Sequence, residues 1–270
     1  MLSCQCKRRC DNPPAVAIGE PFVLDGGGDV GALLIHGFTG TPYEVRYLGE
    51  RLAGAGISAV GPYVAGHGTT VADLARTTWH DWVAGIERDF DALRARCRRV
   101  VLVGQSLGAL LALELASRRG ADVTAVCSLA APLWLDGLAG RVARWTAPGG
   151  PLGFIRALPK LGGSDVSDRD ARAANPGYRA IPTAALAQLV TFMRVVDAVL
   201  PEIAAPVLVL HGEHDHTAPV ACAARIAARV PHGQLRLFPR SYHLLAADLE
   251  RDAVATAVID FISQESSCAT

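Results

Sequence analysis

Val100-Val101-Leu102-Val103-Gly104-Gln105-Ser106-Leu107-Gly108-Ala109-Leu110-Leu111-Ala112-Leu113 decides how the chain is read. Four apolar, mostly β-branched residues predict a buried strand, and the Ala/Leu-rich run over 107–118 predicts a helix. Between them lies Gly-x-Ser-x-Gly. That pattern is common by chance and becomes specific in this strand–turn–helix setting. Glycines on both sides lack Cβ, so strand and helix can close tightly while Ser106 sits in a strained conformation. Its hydroxyl then projects from the end of the sheet. The helix N-terminus beside it offers backbone N–H groups to a developing oxyanion. Ser106 is the candidate nucleophile.

The same rhythm extends in both directions. Apolar runs at 32–35, 57–60, 123–129, 207–210 and 235–238 alternate with helical patterns at 42–55, 79–97, 220–230 and 246–262. In the second of these helices Trp82, Val83, Ile86, Phe90 and Leu93 recur at helical spacing,. On the first, Tyr47, Leu48, Leu52 and Ala55 share a face. Short all-apolar strands between helices predict an α/β fold, a mostly parallel sheet covered on both faces. Function in such sheets sits at the carboxyl ends of the strands. The rhythm breaks over residues 132–205, which are rich in Pro and Gly yet hold apolar pieces. This stretch is expected to be a small lid inserted between two strands, with 15–131 and 206–265 as the core. Residues 1–14 read as a flexible Cys-rich tail.

A serine nucleophile needs a base, and the base needs an orienting acid. His243, in Ser241-Tyr242-His243, follows the run at 235–238, and Asp215, in His211-Gly212-Glu213-His214-Asp215, follows the run at 207–210. These are the candidate base and acid, with Glu213 as reserve acid. The other histidines read as structural (His36, His211), loop-shaping (His67) or surface residues (His80, His214, His216, His232). His36-Gly37-Phe38-Thr39-Gly40 follows the run at 32–35. Its glycines allow the Phe38 N–H to face the site, with the Leu107 N–H as second oxyanion donor. In the lid, Leu133, Trp134, Leu135, Phe154, Ile155, Leu189, Phe192 and Met193 are candidates for an acyl-chain pocket.

Composition sets the outer bounds. Half of the 270 residues are hydrophobic, which excludes global disorder,. Lys+Arg 26 balances Asp+Glu 26, so no overall charge steers the chain to nucleic acid,. No continuous apolar run is long enough to suggest an integral membrane segment. Cys97, Cys127 and Cys222 read as buried thiols, while Cys4, Cys6 and Cys10 crowd the N-terminus. Leu2-Ser3-Cys4 faintly resembles a lipidation box, but no apolar signal segment precedes it. The expectation is a cytoplasmic protein with a small-molecule substrate.

These motifs carry a family resemblance over residues 31–262. The chain resembles the α/β-hydrolases, and within them the bacterial carboxylesterase and monoacylglycerol lipase group. The anchors are His36-Gly37-Phe38-Thr39-Gly40, Gly66-His67-Gly68, the Ser106 turn, His211-Gly212 with Asp215, and Ser241-Tyr242-His243. The order Ser, Asp, His is that of the superfamily. The resemblance implies an eight-stranded, mostly parallel sheet and serine-dependent hydrolysis of short- to medium-chain acyl esters or monoacylglycerols, with no cofactor. The chain departs from the group at Ala65, where many relatives carry proline, and in its Cys-rich N-terminus.

Other readings remain. The triad is compatible with another bond: thioester, amide, lactone or carbon–carbon. A hydrolase fold can also hold an apolar ligand without catalysis. His211-Gly212-Glu213-His214-Asp215-His216 resembles a dinuclear metal motif, but leaves the Ser106 turn without a role.

Overall fold

The computed structural model describes residues 18–147 and 149–268. The expected N-terminal tail lies outside the described residues. In chain order the elements are β1 (Phe22–Leu24), β2 (Val30–Ile35), α1 (Tyr43–Gly54), β3 (Ser58–Gly61), α2 (Val71–Ala75), α3 (Trp79–Arg94), β4 (Arg99–Gln105), α4 (Leu107–Arg119) and β5 (Ala125–Leu129). There follow α5 (Gly137–Thr146), β6 (Ala157–Pro159), α6 (Arg169–Ala174), β7 (Ala180–Pro182), α7 (Thr183–Val199), β8 (Val207–Gly212), α8 (Val220–Arg229), β9 (Gly233–Phe238) and α9 (Arg251–Cys268).

Seven strands form one sheet in the order β1-β3-β2-β4-β5-β8-β9. Every pairing in it is parallel except β1 with β3. The implied count of eight strands is corrected to seven among the described residues. Gly19, in the turn just before β1, has a left-handed φ of 97°, so the four residues preceding β1 do not extend as a strand. Period-two alternation divides the core. Leu33, Ile35, Val100 and Leu102 face one way, onto Trp82 and Phe90 of α3 and Leu110 of α4. Ala32, Leu34, Val101 and Val103 face the other, onto Leu48 and Leu52 of α1 and Val254 and Phe261 of α9. Each fully buried large side chain contributes about 1.5–3 kcal/mol, so both faces must be covered.

The expected helices and strands form within a few residues of their predicted ends, except the last helix. Its pattern at 246–262 resolves into a short turn at Leu245–Ala247 and α9. Capping boxes start two helices: Thr70 with Asp73 opens α2, and Thr78 with Asp81 opens α3. Such caps add about 1 kcal/mol each. On α1 the buried face centres on Val45, Leu48 and Leu52, while Ala55 is exposed.

Residues 130–206 join the paired strands β5 and β8 and contain α5, the β6–β7 hairpin, α6 and α7. α7 packs on the core through Leu189, Phe192, Met193 and Val196. One helix among the described residues bears on the expectation that no integral membrane segment is present. The helical stretch Thr183–Glu202 is long and apolar enough by length and composition. Gln188 and Thr191 interrupt its apolar run, and nearly half of it is buried inside the protein.

Candidate active site

β4 is the central strand, and its last residue, Gln105, delivers the chain to Ser106 at φ 58°, ψ −115°. Only close backbone contacts hold a serine there. A Cβ on Gly104 would overlap the Gly108 carbonyl, and one on Gly108 would overlap the Ile35 carbonyl. The Ser106 N–H donates to Leu129 O at 2.8 Å, tying the turn to β5.

Three predicted residues converge. His243 Nε2 lies 2.8 Å from Ser106 Oγ, and His243 Nδ1 lies 2.8 Å from Asp215 Oδ2. The Asp215 side chain has no exposed surface. Its Oδ1 accepts from the Thr217 and Ala218 amides at 2.8 and 2.7 Å. Burial pushes the Asp215 carboxyl up, but the His243 charge and hydrogen bonds from His211, His243 and the Ala218 amide outweigh it, leaving a net lowering. Burial pulls the His243 imidazole down. The charge and hydrogen bond of Asp215, then Asp165 and Glu44, outweigh that and leave it above its ordinary value.

The loop after β2 is pinned at nearly every polar atom. Its Gly37 N–H donates to Glu44 Oε2 at 2.8 Å, Thr39 N–H to His67 Nε2 at 3.1 Å, and Gly40 N–H to Gly37 O at 3.1 Å. His36 Nδ1–H also donates to Gly37 O, at 2.9 Å. A trans peptide sets N–H antiparallel to C=O, so anchoring the Gly37 carbonyl turns the Phe38 N–H the opposite way. Among the described residues the Phe38 and Leu107 amides donate to no protein acceptor.

His36 and His67 carry out this pinning as neutral rings. His36 Nε2 accepts from Val64 N–H at 3.1 Å, and His67 Nδ1 faces the Val64 and Ala65 carbonyls at 3.2 Å each. Burial lowers His36 to about 3, helped by His67, and burial lowers His67 to about 4 against two backbone hydrogen bonds. An unfolded histidine protonates near 6.5, so the unfolded chain takes up protons that the folded one refuses. Stability is therefore full above pH 6.5 and falls as pH drops toward 4, by about 3 kcal/mol per histidine. Urea titrations at pH 7.5 and pH 4.5 should show a clear loss in midpoint at the lower pH. His67→Gln, which removes one of the two titrating rings, should remove about half of that dependence, with His36 keeping the rest.

Several residues around the site carry no sequence signal for their role. Asp248 is fully buried, and its carboxylate accepts from Ser167 N–H, Ser167 Oγ–H and the Asp168, Tyr242 and Leu249 amides. It thereby links the 130–206 segment to the loop of His243. Gln105 Nε2 donates to His243 O at 2.7 Å. His211 Nε2 lies 3.1 Å from Asp215 Oδ2 and 3.0 Å from Ala218 O. The Tyr178 ring stacks on His67, and its amide donates to Thr39 O at 2.8 Å. The bonds of Asp248 to Ser167 and Asp168, of Gln105 to His243 and of Tyr178 to Thr39 join residues far apart along the chain, beyond any local pattern.

Other candidates are placed elsewhere. Glu213, His80, His214, His216 and His232 are exposed. His216 turns to Asp165 at 3.0 Å, and among the described residues no three His, Cys, Asp or Glu side chains group as metal ligands. Trp134, Leu135, Leu189 and Met193 belong to the same apolar cluster as Phe38 and Leu107, with Leu133 and Phe192. Phe154 does not: it is 78% exposed, because the tight turns over 150–155 direct it outward. Ile155 is half-buried outside that cluster. Cys97, Cys127 and Cys222 are buried free thiols.

The strand order and the strained turn at Ser106 define an α/β-hydrolase. Within that class, the chain belongs to the family described as serine aminopeptidase, S33, whose model matches residues 31–250. It is 32% identical to a thermostable monoacylglycerol lipase of Bacillus sp. (strain H-257) over 93% of this chain and 97% of that one. It is 26% identical to a carboxylesterase of Bacillus subtilis (strain 168), over 92% and 98%. A solved structure from work on two metagenome-derived lipolytic enzymes superimposes with TM-score 0.83 at 27% identity, covering 92% of this chain and 98% of that one.

Proposed function

We propose that this chain is a carboxylic ester hydrolase acting on short- to medium-chain acyl esters, monoacylglycerols among them, through an acyl-serine intermediate. The observation that carries the reading is the unbroken relay from Ser106 Oγ through His243 to Asp215, with 2.8 Å at each step. The two curated relatives, matched over nearly their whole length, support ester chemistry.

His243 Nε2 takes the Ser106 proton as Oγ attacks the ester carbonyl carbon. Asp215 fixes the Nδ1–H tautomer and stabilises the imidazolium. Negative charge on the carbonyl oxygen rests on the Phe38 and Leu107 amides. As the tetrahedral carbon collapses, the carbon–oxygen bond to the alcohol breaks and His243 returns the proton to the leaving oxygen. Water, deprotonated by His243, then attacks the acyl-serine, and Ser106 leaves with that proton. The acyl chain lies along Trp134, Leu135, Leu189 and Met193, which continue the apolar surface of Phe38 and Leu107. Residues 132–205 act as the lid over it, with 15–131 and 206–265 as the core. We assign a cytoplasmic setting, consistent with three buried free thiols.

The test is turnover of p-nitrophenyl esters of graded acyl length, followed by monoacylglycerols. Turnover that peaks on short or medium chains and extends to monoacylglycerols is the expected result. Absence of turnover on every ester, with hydrolysis of a thioester or amide instead, would contradict the assignment.

A further inference from the structure

Glu44 is a charged residue in the first turn of α1, yet it is 3% exposed. Its Oε2 accepts the Gly37 N–H at 2.8 Å. The carboxyl group lies flat against Gly40, where any Cβ would collide with it. Burial pushes this carboxyl up, and the Lys160 ammonium and the Gly37 amide pull the other way. Lys160 itself reaches in from the 130–206 segment and donates to Thr39 Oγ1 at 3.3 Å.

Gly37 is the one flexible joint between His36 and Phe38,. Two flanking peptide planes set its φ and ψ. The plane after it is held through its carbonyl by His36 and the Gly40 amide. The plane before it is held through its N–H by Glu44 alone. Without that acceptor the His36–Gly37 plane loses its hydrogen-bond anchor, and the alignment of the Phe38 N–H is left to the bonds on the Gly37 carbonyl alone. An oxyanion donor acts through alignment to within tenths of an ångström, and loss of one costs roughly 10²–10³ in kcat.

We propose that Glu44 is a positioning residue for the oxyanion hole, its Oε2 fixing the Gly37 peptide so that the Phe38 N–H meets the developing charge. This rests on the Ser106 reading above. The role is that of a hydrogen-bond acceptor, so the neutral amide of Glu44→Gln, with its oxygen toward Gly37, should keep it.

Glu44→Gln, Glu44→Ala and Glu44→Asp are compared with wild type and Ser106→Ala on p-nitrophenyl butyrate, with thermal unfolding of each. Glu44→Ala should lose about 100-fold in kcat, with KM within about three-fold, below its unfolding temperature. Glu44→Gln should stay within about three-fold of wild type. Glu44→Asp withdraws the oxygen by one methylene and should match Glu44→Ala, so it carries the test if the alanine variant does not fold. A folded Glu44→Ala or Glu44→Asp with wild-type kcat would overturn the proposal. So would a folded Glu44→Gln as impaired as Glu44→Ala, since charge would then be the operative feature. If Ser106→Ala is as active as wild type, the Ser106 reading itself fails, and the proposal falls with it.

Discussion

Ser106→Ala is expected to lower kcat/KM on p-nitrophenyl butyrate by roughly a thousand-fold or more, with the fold intact. The substitution removes one oxygen, the only atom that His243 Nε2 contacts on this side chain. It adds no Cβ, so the strained φ of 58° costs alanine what it costs serine. The backbone bond from residue 106 N–H to Leu129 O is unchanged. Thermal unfolding within a few degrees of wild type is therefore expected alongside the loss. Activity left in the variant would come from the Phe38 and Leu107 amides and from substrate binding. A variant that keeps near-full turnover would remove Ser106 from the chemistry.

Asp215→Asn should have an effect of similar or greater size, roughly 10⁴-fold in kcat by the behaviour of Ser-His-Asp triads. Asp215 Oδ2 accepts the His243 Nδ1–H, while Oδ1 is held by two backbone amides. An asparagine must keep an oxygen toward those amides, which turns its NH₂ to His243. The imidazole then flips tautomer and presents N–H rather than a lone pair to Ser106. The pH profile gives a second signature. His243 must be neutral to act as base, so rate falls as pH falls through its pKa. That pKa is raised because the Asp215 charge and hydrogen bond outweigh burial. Removing the charge should shift the acid limb of the residual activity to lower pH. An unshifted limb in a folded variant would mean that Asp215 is not the charge beside His243.

The legible part of the fold was the part that local rules control. Strands such as Val30–Ile35 and Arg99–Gln105 are buried on both faces, so their apolar runs are continuous and easy to find,. α3 shows its stripe because its outer face is charged. β1 is only three residues long and follows a proline, and the described residues hold no further strand before it, so the count of eight implied by resemblance exceeded the structure. The break in rhythm over 132–205 is legible, but its small elements are not, since β6 and β7 are three residues each and pair across more than twenty residues, and α6 spans only six.

The candidate site divides in the same way. Ser106, Asp215 and His243 were legible because each follows a strand whose end the topology brings to one edge. Glu44 had a faint signal: it shares the stripe of Leu48 and Leu52 at spacings of four, where a charge is out of place,. Asp248 had none, because it accepts from residues 80 positions away. Phe154 was selected for hydrophobicity alone, and turn geometry then directed it to solvent.

The role of Ser106 as nucleophile is tested by intact-mass analysis after reaction with a serine-directed fluorophosphonate, followed by peptide mapping. A single adduct is expected, on the peptide containing Ser106, with loss of esterase activity in proportion and no adduct on Ser106→Ala. An adduct on another residue, or full inactivation without any adduct at Ser106, would contradict it.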